Sequence, residues 1–295
     1  WVGEGNLGLG SFSPFSKEDG KWGIFFRSND SYKFLSRSYY QLNGYDFTIE
    51  FWFWPATGSS NSVIAAHHNG SGDANLNWLF RQLVASGDKL RFVPLTSGGT
   101  PTEIDSTDEV NIRAWNHVAV TSDGTNLKMW LNGAYQGAVS FNGTLQSNAG
   151  PVQLGGWDNN YWDGGYLSNF RIVRGSVLYT GTSSIDVPTD PLTAVSNTVL
   201  LTAQSNTKRD NSSYGDEPRF VSGDMSVTTF SPFKNSVPYD PSTMGGSVYF
   251  DNNGARVRST PNNFGISGSE EYTVEFWAYP TSASRQYYCD ESLSN

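Results

Sequence analysis

A nine-residue apolar string occurs twice in this chain, as FTIEFWFWP at Phe47–Pro55 and as YTVEFWAYP at Tyr272–Pro280. A second string repeats with it: SFSPF at Ser11–Phe15 returns as TFSPF at Thr229–Phe233. The offsets, 225 from Phe47 to Tyr272 and 218 from Phe12 to Phe230, differ by seven residues. Most of that difference is absorbed where the later copy carries VPYDPSTM ahead of its first strand, and loop insertions of this kind cost little. Between the two markers GIFFRSND at Gly23–Asp30 aligns with SVYFDNNG at Ser247–Gly254. A repeat of roughly 220 residues defines one structural unit, and the later copy stops soon after its opening strand.

Period two governs the repeated string, because neighbouring side chains on a strand point to opposite faces. Phe47, Ile49, Phe51 and Phe53 form one uninterrupted apolar row, which belongs against a second sheet. Thr48, Glu50, Trp52 and Trp54 share the other face, which is expected to be the wetter one, and Pro55 ends the strand. Further strands are predicted in VIAAHH, NWLFRQLV, KLRFVPL, WNHVAVTS, VQLGG, YLSNFRIV and TVLLTAQ. LKMWLNGAYQGAVS reads as a hairpin turning at Asn132-Gly133, a pair suited to positive φ, and DVPTDPL as a proline-stiffened loop. In YLSNFRIV the apolar residues Leu167, Phe170 and Ile172 slip in period, which predicts a β-bulge. So many short strands in 295 residues, with 31 glycines and 15% aromatics, imply an all-β sandwich or jelly roll.

Charge and cysteine content restrict the partners. Nineteen basic against 28 acidic residues leave a net charge of −9, which repels phosphate backbones and excludes nucleic acid as a natural partner. The single cysteine, Cys289, can form no intrachain disulfide and no cysteine-rich metal site. No apolar run reaches the roughly 18 residues that signal a membrane-spanning helix. The chain starts at Trp1 rather than at methionine, so it reads as a window on a longer array.

FTIEFWFWP, AWNHVAVTSDGTNLKMWLNGA and LGGWDNNYWDGGYLSNFRIV together resemble the three signature strands of laminin-G-like, concanavalin A-like jelly rolls. The resemblance covers most of Phe12 to Gln204 and implies tandem sandwiches with the second copy incomplete. The expected division is 1–11 as the end of a preceding linker or module, 12–206 as a complete jelly roll, 207–228 as a linker and 229–295 as the first part of a second one. A narrower likeness, through LSNFRIVRGSVLYTG, DPLTAVSNTVLLTAQSN and FSPF, is to repeats of large structural proteins of marine bacteriophages. It implies a virion-surface or extracellular setting, with neighbouring modules of a fibre or appendage as partners. Related strings also occur in bacterial surface proteins, which keeps a cell-surface adhesin or filament as the alternative.

An enzyme, a sugar binder and a structural building block are the three functional classes open to a chain of this kind. Glucanases of this fold carry E-x-D-x-(x)-E, alternating carboxylates that share a face as nucleophile and acid. Here Glu50 is followed on its face by Trp52 and Trp54, and Glu275 by Trp277 and Tyr279, so the partner is missing in both copies. Glu50 is expected instead to pair with a basic residue on a neighbouring strand. His67 and His68 are adjacent and face opposite ways, and His117 sits within WNHVAV; all three read as packing or surface residues. Sugar binding is better supported, because Gly155–Gly165 combines Trp157, Tyr161 and Trp162 with Asp158, Asn159, Asn160 and Asp163. Flat rings suit a sugar face, while amides and carboxylates suit its hydroxyls. No cofactor is expected. Calcium is the metal that the resemblance implies, with Asp158 and Asp163 as candidate ligands and Asp73 and Asp123 in other Gly-rich turns, but none forms a dense acidic run.

Overall fold

The structure, a computed structural model, describes residues 2–4, 7–10, 20–58, 61–83, 87–96, 101–223, 225–233, 247–250, 256–258 and 273–278. Two units are distinguished, Glu18–Ser236 and a second made of Trp1–Lys17 with Val237–Asn295.

The opening row behaves as its alternation requires. β5 (Phe47–Pro55) runs through the middle of one sheet of the larger unit. Strands β1 (Val2–Glu4) and β2 (Leu7–Gly10) precede it in the smaller unit, and β3 (Gly23–Phe26) and β4 (Ser31–Phe34) in the larger. The rest of the larger unit comprises β6 (Ser62–His68), β7 (Leu76–Leu83), β8 (Lys89–Pro94), β9 (Ile104–Asp105), β10 (Asn116–Ser122), β11 (Asn126–Leu131) and β12 (Ala134–Ser140). After these come β13 (Val152–Leu154), β14 (Gly156–Trp157), β15 (Asn160–Tyr161), β16 (Gly165–Arg174), β17 (Thr198–Thr202), β18 (Pro218–Ser222) and β19 (Ser226–Thr228).

One sheet has the order β12-β11-β10-β5-β16-β3-β19, with β17 also on β16; the other runs β18-β4-β13-β6-β7-β8-β9. Two antiparallel sheets of this kind make a jelly-roll sandwich, as the strand count predicts. Phe47, Ile49, Phe51 and Phe53 are all fully buried between them. Phe51 meets Phe80 of the facing sheet edge-on at 4.9 Å and stacks on Phe170 at 5.1 Å, while Phe80 meets Phe92 at 4.7 Å. Each such side chain contributes about 1.5–3 kcal/mol by leaving water.

Asn132 (φ 51°) and Gly133 (φ 83°) turn the β11–β12 hairpin in the left-handed region, where an asparagine-glycine pair is least strained. The bulge in β16 is present as well. Its register against β5 shifts between Ser168 and Arg171, and Asn169 takes φ 53°. There the Asn169 side chain donates to Gly20 O and accepts from Leu192 N.

The structure corrects three expectations. The face of β5 expected to be wetter is covered: Thr48 and Glu50 are fully buried and Trp52 is 9% exposed. Residues 176–193 cross it, bonding to β5 through Thr48 Oγ1 to Ser176 O and Leu178 N to Thr48 Oγ1, and to the β11–β12 hairpin beside it through Trp130 Nε1 to Ser183 O and Ile185 N to Gly133 O. Alternation says which side chains share a face, and cannot say whether a distant loop lies over them. The stretch expected as a linker, 207–228, instead supplies one edge strand to each sheet, β18 and β19. The chain between β17 and β18 is fastened too, since Asp210 accepts from Leu201 N at 2.9 Å and Asp216 from Tyr40 OH at 2.8 Å. Phe230 and Phe233, expected to open the second module, lie in the larger unit: Phe230 packs on Tyr166 at 4.7 Å and Phe233 on Trp52 at 5.7 Å.

In the smaller unit β1 pairs with β21 (Arg256–Arg258) and β2 with β20 (Ser247–Phe250). Residues 273–278 of the later copy, YTVEFWAYP, lie outside the strands and are exposed. Phe12–Phe15 and Cys289 lie outside the described residues, as do Tyr272 and Tyr279.

Candidate functional site

Glu50 is the first carboxylate to test, because it occupies the strand on which a glucanase would mount its pair. β16 runs antiparallel to β5 and places Arg171 directly opposite Glu50. Both Arg171 Nε, at 3.1 Å, and Arg171 Nη2 donate to Glu50 Oε1, and Tyr179 OH donates to Oε2 at 2.9 Å. His117 Nε2 stands 3.5 Å from Oε2 on the other neighbouring strand, β10, too far for a well-formed hydrogen bond. Burial pushes the Glu50 carboxyl up, but His117 and Arg171 beside it outweigh burial and hold it below its ordinary value. The carboxylate is therefore a charge fixed in a salt bridge, neither a raised-pKa acid nor an accessible nucleophile. The neighbouring-strand arginine expected from the sequence is Arg171; Tyr179 was not foreseen, since it comes from the covering loop.

The three histidines are all buried. His67 Nε2 lies 3.1 Å from Gly150 O, and burial pulls its pKa down to about 4. His68 Nε2 lies 2.9 Å from Gln153 Oε1.

The aromatic and amide-rich segment forms a small hairpin, β14–β15, with Gly156 opposite Tyr161 and Trp157 opposite Asn160. Asp158, at φ 52°, takes the left-handed position of its two-residue turn. Asn159 and Asn160 are exposed, and Trp157, Asp158, Tyr161 and Asp163 are half-buried. Trp157 is anchored: its ring packs on a cluster including Val63, Ala66 and Leu76, and its Nε1 donates to Gly70 O at 3.1 Å. An anchored indole with one free flank costs little conformational entropy when it is covered by a ligand.

Trp162 departs from the expected set. It is 1% exposed, lies 6.0 Å from the Phe26 ring and directs Nε1 at Gln82 Oε1, so its face is spent in the core. Trp157 and Trp162 are separated by the hairpin reversal, and only structure reveals which of two nearby indoles turns inward. The presentable set is thus Trp157, Asp158, Asn159, Asn160, Tyr161 and Asp163.

Among the described residues no three His, Cys, Asp or Glu side chains converge to hold a metal ion, while calcium takes about six to eight oxygens. Asp123, a rim candidate, spends Oδ1 on the backbone N–H groups of Thr125 and Asn126 in its own turn. Asp73 lies in a short 3-10 turn, Asp73–Asn75, on a different loop.

Residues 18–177 match the family model described as the concanavalin A-like lectin/glucanases superfamily. The chain belongs to that superfamily. No curated protein sequence matches it. Among solved structures it is similar to a native heptameric SAP-like pentraxin from Limulus polyphemus, at 17% identity and a TM-score of 0.41, covering 52% of this chain and 76% of that one. It is also similar to the CBM40 of the Ruminococcus gnavus IT-sialidase bound to alpha2,3 sialyllactose, at 16% identity and a TM-score of 0.40, covering 51% and 91%. Among the described residues no helix is long and apolar enough to cross a membrane.

Proposed function

We propose that this superfamily member is a non-catalytic, carbohydrate-binding module, and that the β14–β15 hairpin is the contact point. The observation that carries the reading is that one rigid turn presents an anchored indole beside two exposed amides, with Tyr161, Asp158 and Asp163 around them. That set offers a flat apolar face for a sugar ring and acceptors and donors for its hydroxyls. The neutralisation of Glu50 by Arg171 supports the non-catalytic half, because neither a nucleophile nor a general acid is left on the strand where this fold would place them. The repeat supports a tandem array, in which weak contacts per module add through multivalency. A fibre or appendage at a virion surface is the setting we favour, with host-surface glycans as partners and a bacterial adhesin as the alternative.

Glycan-array binding of the intact chain, compared with Asn159→Ala/Asn160→Ala and with Trp157→Ala, tests the site. Signal is expected to drop in both variants. The amide pair lies at the exposed tip, so its loss of signal cannot be put down to unfolding. Binding that survives both changes would move the contact elsewhere, for instance to the cleft of about 580 Å³ between Trp52, Phe233 and the 187–191 stretch. Release of reducing ends from polysaccharides, abolished by Glu50→Gln, would overturn the non-catalytic reading.

A further inference from the structure

The sandwich of Glu18–Ser236 is closed late. The outer edge of β3 pairs with β19 and that of β4 with β18, so two strands from the far end of the unit finish the sheets begun by its first two. Residues 219–233, RFVSGDMSVTTFSPF, thus form a closing segment that ends in FSPF.

The smaller unit repeats this arrangement with different parts of the chain. β20 is the later copy of β3, as Ile24 and Val248 show at an offset of 224. β1 and β2 are the equivalents of β18 and β19: WVGEGNLGLGSFSPF at residues 1–15 aligns with 219–233, matching Gly5 to Gly223, Asn6 to Asp224, Leu7 to Met225 and Leu9 to Val227. The ladders agree with the alignment. Ser226, Val227 and Thr228 lie opposite Phe25, Ile24 and Gly23, while Gly8, Leu9 and Gly10 lie opposite Tyr249, Val248 and Ser247. The outer ladder is displaced by up to two residues, with Phe220 opposite Tyr32 and Val2 opposite Arg258, on the strand where β18 carries its own register shift.

A segment that precedes the whole larger unit therefore takes, on the second copy, the place that 218–228 take on the first. Strand edges accept a partner through backbone hydrogen bonds, with alternate side chains setting the register, so a sequence carrying the same pattern can substitute. We infer that the stretch ending in FSPF is an exchangeable closing segment, and that the outer edge of β20 and β21 is a receptor for it whose partner is the equivalent segment of another repeat of this chain. Repeats would then be joined by strand donation as well as by covalent sequence. This inference is independent of sugar binding.

Cross-linking in the full chain tests it. With Cys289→Ser as background, Leu9→Cys/Val248→Cys and Gly8→Cys/Tyr249→Cys are oxidised and mapped by mass spectrometry. Both pairs are made because neighbouring positions alternate between wide and close spacing along an antiparallel ladder. A cross-link is expected in at least one, within a chain or between two chains, and either form supports donation. Leu9→Cys/Ile24→Cys should stay unlinked, because Val227 already fills that register. A synthetic peptide of residues 219–233 should suppress the productive cross-link, and a scrambled peptide should not. Absence of a link in both pairs, equal linking to position 24, or no effect of the matching peptide would each overturn the inference.

Discussion

Ile24, Phe26, Ile49 and Phe51 are fully buried in the first copy, while their equivalents Val248, Phe250, Val274 and Phe276 are 40%, 51%, 56% and 56% exposed. The residues are alike in size and alternation, so the difference does not come from local sequence. In the first copy Phe51 has Phe80 and Phe170 against it, and Phe80 has Phe92 behind it. The pattern of a strand specifies a face to be buried; the stabilisation is realised only when a second sheet arrives to bury it. A matching contrast exists for charge. Glu50 is enclosed and paired with Arg171, whereas its equivalent Glu275 is exposed.

The contrast is most easily broken by mutation in the two apolar rows. Phe51→Ala should destabilise the larger unit by about 3–5 kcal/mol through cavity formation, while Phe276→Ala should change stability by less than about 0.5 kcal/mol. Chemical denaturation of the intact chain measures both, and a Phe276→Ala effect as large as that of Phe51→Ala would erase the distinction. The charged pair comes next. Removing one partner of a buried ion pair leaves the other uncompensated, so Glu50→Gln should cost about 3 kcal/mol, and Glu275→Gln close to nothing. Replacing both partners, Glu50→Gln with Arg171→Met, should recover part of that loss.

Acid sharpens the same comparison. Unfolded, His67 takes up its proton near pH 6.5; folded, burial delays this to about 4. Between those values the unfolded chain holds the extra proton, so stability is complete above about 6.5 and falls as pH drops, by about 3 kcal/mol once pH 4 is reached. Glu50, held below its ordinary value, loses its contribution at lower pH still, as its carboxylate is protonated. Denaturation midpoints between pH 7 and 4 should track His67 together with His68, which burial also holds below its ordinary value, and His67→Asn should reduce the slope of that part of the profile. A smaller loss than those of Phe51→Ala, Glu50→Gln and acid is expected at the β11–β12 hairpin. Gly133→Ala puts a methyl 2.8 Å from Ile185 O at φ 83° and should cost about 1 kcal/mol.

Local rules carried the sequence reading where the structure is local. The inward row of β5, the turn at Asn132-Gly133 and the bulge in β16 each follow from spacing or residue type within a few positions, and each is present. What escaped depends on segments brought from far along the chain. Burial of Glu50 needs Tyr179 and the rest of the 176–193 crossing, and the inward turn of Trp162 needs Phe26 and Gln82. The strands hidden in 207–228, PRFVS and SVT, are only five and three residues long, and they become strands because β3 and β4 present open edges. The hairpin proposed for sugar contact was visible as a composition, and its division into presented and buried aromatics was not.

The pairing of Gly23 with Thr228 has a consequence for biosynthesis. A ribosome adds about 5–20 residues per second, so β3 waits about 10–40 s after it is made before its closing strand exists. Throughout that interval one edge of the growing sheet is open, and every nascent repeat carries, in its own FSPF-terminated stretch, a strand able to fill it. In a polysome, where several chains of the same kind lie close together, the order in which edges and closing segments emerge would decide whether each sandwich finishes alone or leaves the ribosome already tied to its neighbour.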